Sequence, residues 1–104
     1  MNNTQVSARG QEWNTFVDVV LNHIESYTVQ QYGDKGADMA TQMSEQECIK
    51  QIERYCRRFG KGARGQAEQL RDLLKVAHYA CITYYKLVDD APTVEIPQDV
   101  HKEQ

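Results

Sequence analysis

Apolar residues recur at steps of three and four along three stretches of the chain, and each stretch predicts an amphipathic helix. The predicted helices cover about residues 11–31, 45–59 and 66–88. The only two prolines lie after the last of these stretches, so the strongest helix breaker is absent from all three. The pattern therefore predicts an all-α, three-helix bundle. The apolar face of the first helix comprises Trp13, Phe16, Val17, Val20, Ile24 and Tyr27.

Local signals mark the ends of these helices. Ser44 followed by Glu47 has the spacing of a capping box, in which each side chain accepts from the backbone N–H of the other residue. Gly60 suits the left-handed position that ends the second helix. Around the helices we expect a flexible N-terminal arm at 1–9, a single helical domain at 10–88 and a flexible acidic tail at 89–104.

The third helix shows the longest apolar seam, and the width of this seam predicts a central helix with two neighbours. The side opposite the seam carries a smaller patch, Val76, Tyr79 and Thr83, which predicts a contact surface for a second copy or another protein. The seam comprises Ala67, Leu70, Leu74, Ala77, Cys81, Tyr84 and Val88, and Leu73, Ala80 and Leu87 widen one flank.

Length and composition limit the chain to one small domain. Its 104 residues are 40% hydrophobic and 26% charged, which is too apolar for wholesale disorder. A core of this size is marginal, so we expect completion by dimerisation or another homo-oligomer. We expect a cytoplasmic protein with no membrane partner, because the polar opening does not resemble a signal peptide. Cys48, Cys56 and Cys81 have no CxxC spacing and are expected to be reduced core thiols.

Positive charge is concentrated in one segment of an otherwise acidic chain. The net charge is −3, yet residues 54–67 contain five basic residues and no acid. A glycine-rich loop within this segment leads into the third helix, whose N-terminus could receive an anion. A protein surface, a nucleotide and a nucleic acid remain alternative partners, and an ordinary helix–helix turn with solvated arginines is the simpler interpretation. We call the candidate anion-binding residues the basic edge: Arg54, Arg57, Arg58, Lys61 and Arg64.

Acidic residues offer an alternative, enzymatic interpretation. Glu53, Glu68 and Asp72 would have to converge to hold Mg²⁺ for work on nucleotide phosphates. Helical-wheel placement instead directs Glu68 and Asp72 to a solvated face, with Asp72 paired to Lys75. The spacing therefore favours a chain with no catalytic site and no cofactor.

One segment resembles a known group of proteins. Residues 49–85 are similar to small, uncharacterised, phage- and prophage-encoded helical proteins, and these look distantly like the MazG-type nucleotide pyrophosphohydrolases. That resemblance implies an all-α fold and, in the alternative, a Mg²⁺-dependent activity. The chain lacks the Glu-x-x-Glu pattern of that family, which favours a non-enzymatic binding module. The matching residues are Ile49, Ile52, Arg54, Tyr55, Arg58, Gly60, Lys61, Asp72, Leu73, Lys75, His78 and Tyr79.

Overall fold

The computed structural model describes residues 6–35, 39–61 and 65–90, and it is an all-α three-helix bundle within those ranges. The first helical rod is continuous and consists of α1, a π-helical turn and α2. A short 3₁₀ turn, α3 and α4 follow. The elements are α1 (Ala8–His23), the π-helical turn (Ile24–Thr28), α2 (Val29–Tyr32), the 3₁₀ turn (Met39–Gln42), α3 (Glu45–Arg57) and α4 (Gln66–Asp90). The predicted fold class is confirmed.

The helix starts follow from side-chain caps. At the start of α3, Ser44 Oγ accepts from the Glu47 backbone N–H at 3.1 Å, and Glu47 Oε1 accepts from the Ser44 N–H at 2.8 Å. The predicted capping box is therefore confirmed. Helix α1 begins at Ala8, about three residues earlier than predicted, because Ser7 Oγ accepts from the Gly10 N–H at 3.1 Å.

Glycines in the left-handed region end two of the helical segments. Gly60 has φ +71°, as predicted, although α3 itself ends earlier, at Arg57. Gly33 has φ +90° and its N–H donates to the Val29 carbonyl at 2.9 Å, which closes the first rod. The predicted tail at 89–104 overlaps α4, which continues through Asp90. Residues 1–5 and 91–104 lie outside the described part of the chain.

The π-helical turn in the first rod is not predicted by the sequence pattern. Its wider turn changes which residues face the rest of the bundle. Within the turn, Tyr27 and Thr28 both line a cavity between the first rod, α3 and α4. The turn therefore helps to shape the concave surface described below.

Helix α3 packs on the face of α4 that carries Tyr79 and Thr83. The sequence pattern places this face opposite the apolar seam. Thr83 is buried at 7% exposure, and the Tyr55 and Tyr79 rings lie 6.2 Å apart. The predicted contact surface is therefore wrong at Tyr79 and Thr83, which pack within the chain, and Val76 is half-buried. Leu70, at the start of the predicted seam, is instead 56% exposed.

The prediction about the cysteines is correct for one residue and wrong for two. Cys48 is fully buried at 0% exposure, and burial raises the pKa of its thiol. Cys56 and Cys81 are exposed. All three are free thiols, but only Cys48 belongs to the core. For Cys81 the reason is that the predicted seam of α4 is the face that remains open to solvent.

Candidate functional site

An ion pair divides the predicted basic edge. Arg58 Nε donates to Asp72 Oδ2 at 3.0 Å, and its Nη2 donates to Asp72 Oδ1 at 2.9 Å. Asp72 is 3% exposed, so the predicted solvated position is wrong, whereas the predicted interaction with Lys75 is present as a charge attraction that raises the pKa of Lys75. Hydrogen bonding to Asp72 raises the pKa of the Arg58 guanidinium. A buried carboxylate needs such a partner, so Arg58 acts first as structural support.

The other residues of the basic edge do not form one cluster. Arg54 donates through Nε and Nη2 to Gln51 Oε1, at 3.2 and 3.0 Å, and its guanidinium lies 4.7 Å from the centre of the Tyr55 ring. Arg57 and Lys61 are exposed. Arg64 lies outside the described residues. The Arg54 side chain therefore lies against Tyr55 and not in the glycine-rich loop.

Cations from two helices gather around Tyr27 and Tyr55. The Lys75 ammonium lies 5.5 Å from the Tyr27 ring centre and 5.4 Å from that of Tyr55. The Arg71 guanidinium lies 5.1 Å from the Tyr27 ring centre, and that of Arg58 lies 4.9 Å from the Tyr55 ring centre. Each contact is within the range of a cation–π interaction. Sequence reasoning missed the roles of Arg71, Lys75 and both rings.

Tyr27, Tyr55 and Lys75 border a cavity of about 260 Å³ between the first rod, α3 and α4. We call it the tyrosine–cation pocket. Tyrosine rings, two histidines and two cations form much of its wall, and no acidic residue lines it among the described residues. Positive charge in a concave, partly desolvated site whose wall contains no acid favours an anionic ligand. The polar and aromatic lining residues used below are His23, Tyr27, Arg54, Tyr55, Lys75 and His78.

His23 is the most unusual group of this pocket. Its side chain is 7% exposed, and its ring stacks on Tyr27 with centres 5.2 Å apart. Its Nε2 atom has no hydrogen-bond partner among the described residues. Burial lowers the pKa of His23, and the nearby charges of His78, Lys75 and Arg71 lower it further. Buried ring nitrogens are normally satisfied, so this atom indicates a place for a ligand group.

Lys75 is held in an unfavourable charged environment. Burial lowers its pKa most. Among the neighbouring charges Asp72 has the largest effect and raises the pKa of Lys75, Arg58 and Arg71 lower it, and Glu68 raises it. The Asp72 oxygens already bind Arg58, so Asp72 compensates two cations at once. A bound anion would favour the charged form of Lys75 and raise its pKa. The partial burial of the Lys75 ammonium is the electrostatic basis of the site.

The three carboxylates of the enzymatic interpretation do not meet within the described residues. Glu53 and Glu68 are exposed, whereas Asp72 is buried and bound to Arg58. Glu68 lies 3.5 Å from Arg71. No group of three or more His, Cys, Asp or Glu side chains among the described residues could hold a metal ion.

Comparison with known protein families, curated proteins and solved structures finds no match to this chain. Among the described residues, no helix is both long enough and apolar enough to cross a membrane. The functional interpretation therefore depends on the geometry of the tyrosine–cation pocket.

Proposed function

We propose that this chain is a small helical binding module that holds a nucleotide-sized anion in the tyrosine–cation pocket. The observation that carries the proposal is a partly buried pocket in which Arg54 and Lys75 have no acidic neighbour in the wall and His23 Nε2 lacks a partner. The proposal retains the anionic partner predicted from sequence and moves its site from the glycine-rich loop to the bundle interior.

The charge of the pocket favours a nucleotide over a nucleic-acid strand. Its volume of about 260 Å³ lies just below the usual range of ligand pockets, about 300–1,000 Å³, so it accommodates only a compact anion. A strand would require cations spread along a surface, because each phosphate needs its own contact. Here the cations converge on two tyrosine rings. A phosphate between Arg54 and Lys75 would relieve their repulsion, and a polar ligand atom would satisfy His23 Nε2.

Two further predictions stay proposals with weaker support. Cytoplasmic localisation is supported by free thiols at Cys48, Cys56 and Cys81, since a reducing compartment keeps thiols in this state. The phage or prophage origin rests on the resemblance of residues 49–85. We do not propose the pyrophosphohydrolase alternative, because the geometry brings no carboxylate cluster together among the described residues.

Calorimetric titration with AMP, ATP, inorganic phosphate and a short oligonucleotide at low salt tests the proposed function. We expect Lys75→Met to weaken AMP binding at least about tenfold, because a hydrogen bond to a charged group contributes about 1.5–3 kcal/mol. The matched control is Lys50→Met, which removes an exposed lysine of α3. Circular dichroism of both variants confirms that the helices are retained.

The same titrations distinguish the pocket from the basic edge. Combined Lys61→Ala and Arg64→Ala should leave AMP affinity unchanged if the anion binds in the pocket. A loss of binding in this double variant, with normal binding by Lys75→Met, would return the site to the glycine-rich loop. Failure of the unmutated protein to bind any of the four ligands at millimolar concentration would exclude the proposed function.

A further inference from the structure

The solvent-facing side of α4 carries a continuous apolar face. Leu70, Leu73 and Leu87 are 56%, 48% and 54% exposed, and Tyr84 is 37% exposed. Smaller residues stand between them. We call this surface the outer face of α4, and its members are Leu70, Leu73, Ala77, Cys81, Tyr84 and Leu87. All six positions are uncharged, and they follow the three-and-four spacing of a coiled-coil seam over about 26 Å of helix.

We infer that the outer face of α4 is a dimer interface that pairs with the same face of a second copy. A two-fold axis makes one patch meet itself, so the patch must be self-complementary. An apolar face without charge fulfils this condition, because it places no like charges in contact. The inference is independent of the proposed anion site, which lies on the other side of α4, toward α3 and the first rod.

The exposed area is sufficient for a weak, specific dimer. A half-exposed leucine or tyrosine offers roughly 80–100 Å² of apolar surface, as judged from full burial of about 150–250 Å² for an aromatic side chain. With the smaller residues between them, the outer face offers roughly 500 Å² per copy. Two copies then bury roughly 1,000 Å², which reaches the lower limit of about 1,000 Å² for a specific interface.

The helix dipole favours antiparallel pairing of the outer faces. Each α4 carries partial positive charge at its N-terminal end and partial negative charge at its C-terminal end. Asp89 and Asp90 add negative charge to the C-terminal end, on the sides of α4 toward the first rod and α3. An antiparallel pair places the C-terminal end of each helix beside the N-terminal end of the other. It also places Leu70 against Leu87 and Leu73 against Tyr84 of the second copy.

Small residues at the centre permit close contact in this arrangement. Ala77 lies near the midpoint between Leu73 and Tyr84, and Cys81 is one turn further on. Helix axes can approach to about 8 Å where the contacting side chains are small. The two Cys81 thiols of an antiparallel pair would then be close enough for a short bifunctional maleimide to join them.

Light scattering after size-exclusion chromatography, over micromolar to near-millimolar concentration, tests the pairing. We expect the unmutated protein to approach the mass of two chains as concentration rises. Leu73→Glu should keep the mass of one chain, because the interface would have to bury an unpaired carboxylate. The matched control is Ile49→Glu, since Ile49 is 42% exposed on α3, and it should dimerise normally. Circular dichroism verifies folding of both variants.

Thiol cross-linking identifies the face that is in contact. A Cys56→Ser variant, which retains the exposed Cys81, should give a covalent dimer with the maleimide. A Cys81→Ser variant, which retains the exposed Cys56, should give little. A one-chain mass at all concentrations would overturn the inference, and so would equal dissociation of Leu73→Glu and Ile49→Glu. Equal cross-linking of the two serine variants would also contradict it.

Discussion

Removal of the Asp72 carboxylate should strongly destabilise the packing of α3 on α4. The Asp72→Ala change eliminates two hydrogen bonds of 2.9 and 3.0 Å from Arg58. Breaking a fully buried ion pair costs about 3–5 kcal/mol, because the remaining charge stays buried. The Arg58 side chain keeps 31% exposure, so water can recover part of its hydration. We therefore expect a loss of about 2–3 kcal/mol in the free energy of unfolding.

Urea denaturation followed by circular dichroism at 222 nm measures this loss. A fixed protein concentration is needed, because association would change the apparent stability. The control is Glu53→Gln, which alters an exposed acid of α3 and should change stability by less than about 0.5 kcal/mol. A double-mutant cycle of Asp72→Ala with Arg58→Met then isolates the pair, for which we expect a coupling of about 1 kcal/mol or more.

Two results would refute this reasoning. The first is a loss below about 0.5 kcal/mol for Asp72→Ala, which is the range of ordinary surface substitutions. The second is additivity of Asp72→Ala and Arg58→Met in the cycle, since additive changes mean that the two side chains do not interact in solution. Either outcome would also remove the argument that Asp72 binds Arg58 and is shared between Arg58 and Lys75.

The remaining predictions concern helix ends and pH. Ser44→Ala should cost about 1 kcal/mol through loss of the capping box, whereas Ser26→Ala, within the π-helical turn, should cost less than about 0.5 kcal/mol in the same urea assay. Gly60→Ala should cost about 1–2 kcal/mol because φ is +71°, whereas Gly65→Ala, which also has open space around its Cβ, should be nearly neutral. The folded state lowers the pKa of His23 below 6.5, so the unfolded chain binds more protons as pH falls through 6.5, and stability should fall with it. His23→Phe should reduce this pH dependence, and an unchanged dependence in thermal melts from pH 7.5 to 5 would contradict the assignment.

The helices could be predicted because their signals are local. The Ser44 and Glu47 side chains and the left-handed position of Gly60 depend on residues within a few positions, and the structure agrees at both places. The predicted limits of the first and third helices differ from the observed ones by only a few residues. The π-helical turn has no such signal, since Ile24–Thr28 shows the same apolar spacing as an ordinary helix.

The face of α4 that packs inside could not be read from hydrophobicity. A helical wheel gives the period of the apolar pattern, but it contains no information on which helix will pack against each face. Here Arg58 binds Asp72 fourteen positions away, and Tyr55 meets Tyr79, so α3 covers a mixed polar and aromatic face. The more apolar side, around Leu70, remains open. This reversal also explains why the predicted exposed patch at Thr83 is buried.

The candidate site was partly visible in the sequence. Two pairs of cations are each spaced by four and therefore share a helix face: Arg54 and Arg58 at the C-terminal end of α3, and Arg71 and Lys75 on α4. Sequence alone does not show that the two pairs face each other. Their meeting point also depends on Tyr27, which belongs to the π-helical turn. The pocket is thus a consequence of tertiary packing, although the residues that supply its charge are recognisable.

Direct localisation of a bound anion tests the central proposal most sharply. Two-dimensional NMR of the histidine rings and the backbone amides, recorded during titration with AMP at low salt, reports on the pocket and on the basic edge in one experiment. We expect the largest shifts at the His23 ring and at amides near Lys75, with a rise in the pKa of His23 as the phosphate approaches. Shifts concentrated at Lys61 and Gly65, with an unchanged His23 ring, would contradict the pocket as the binding site.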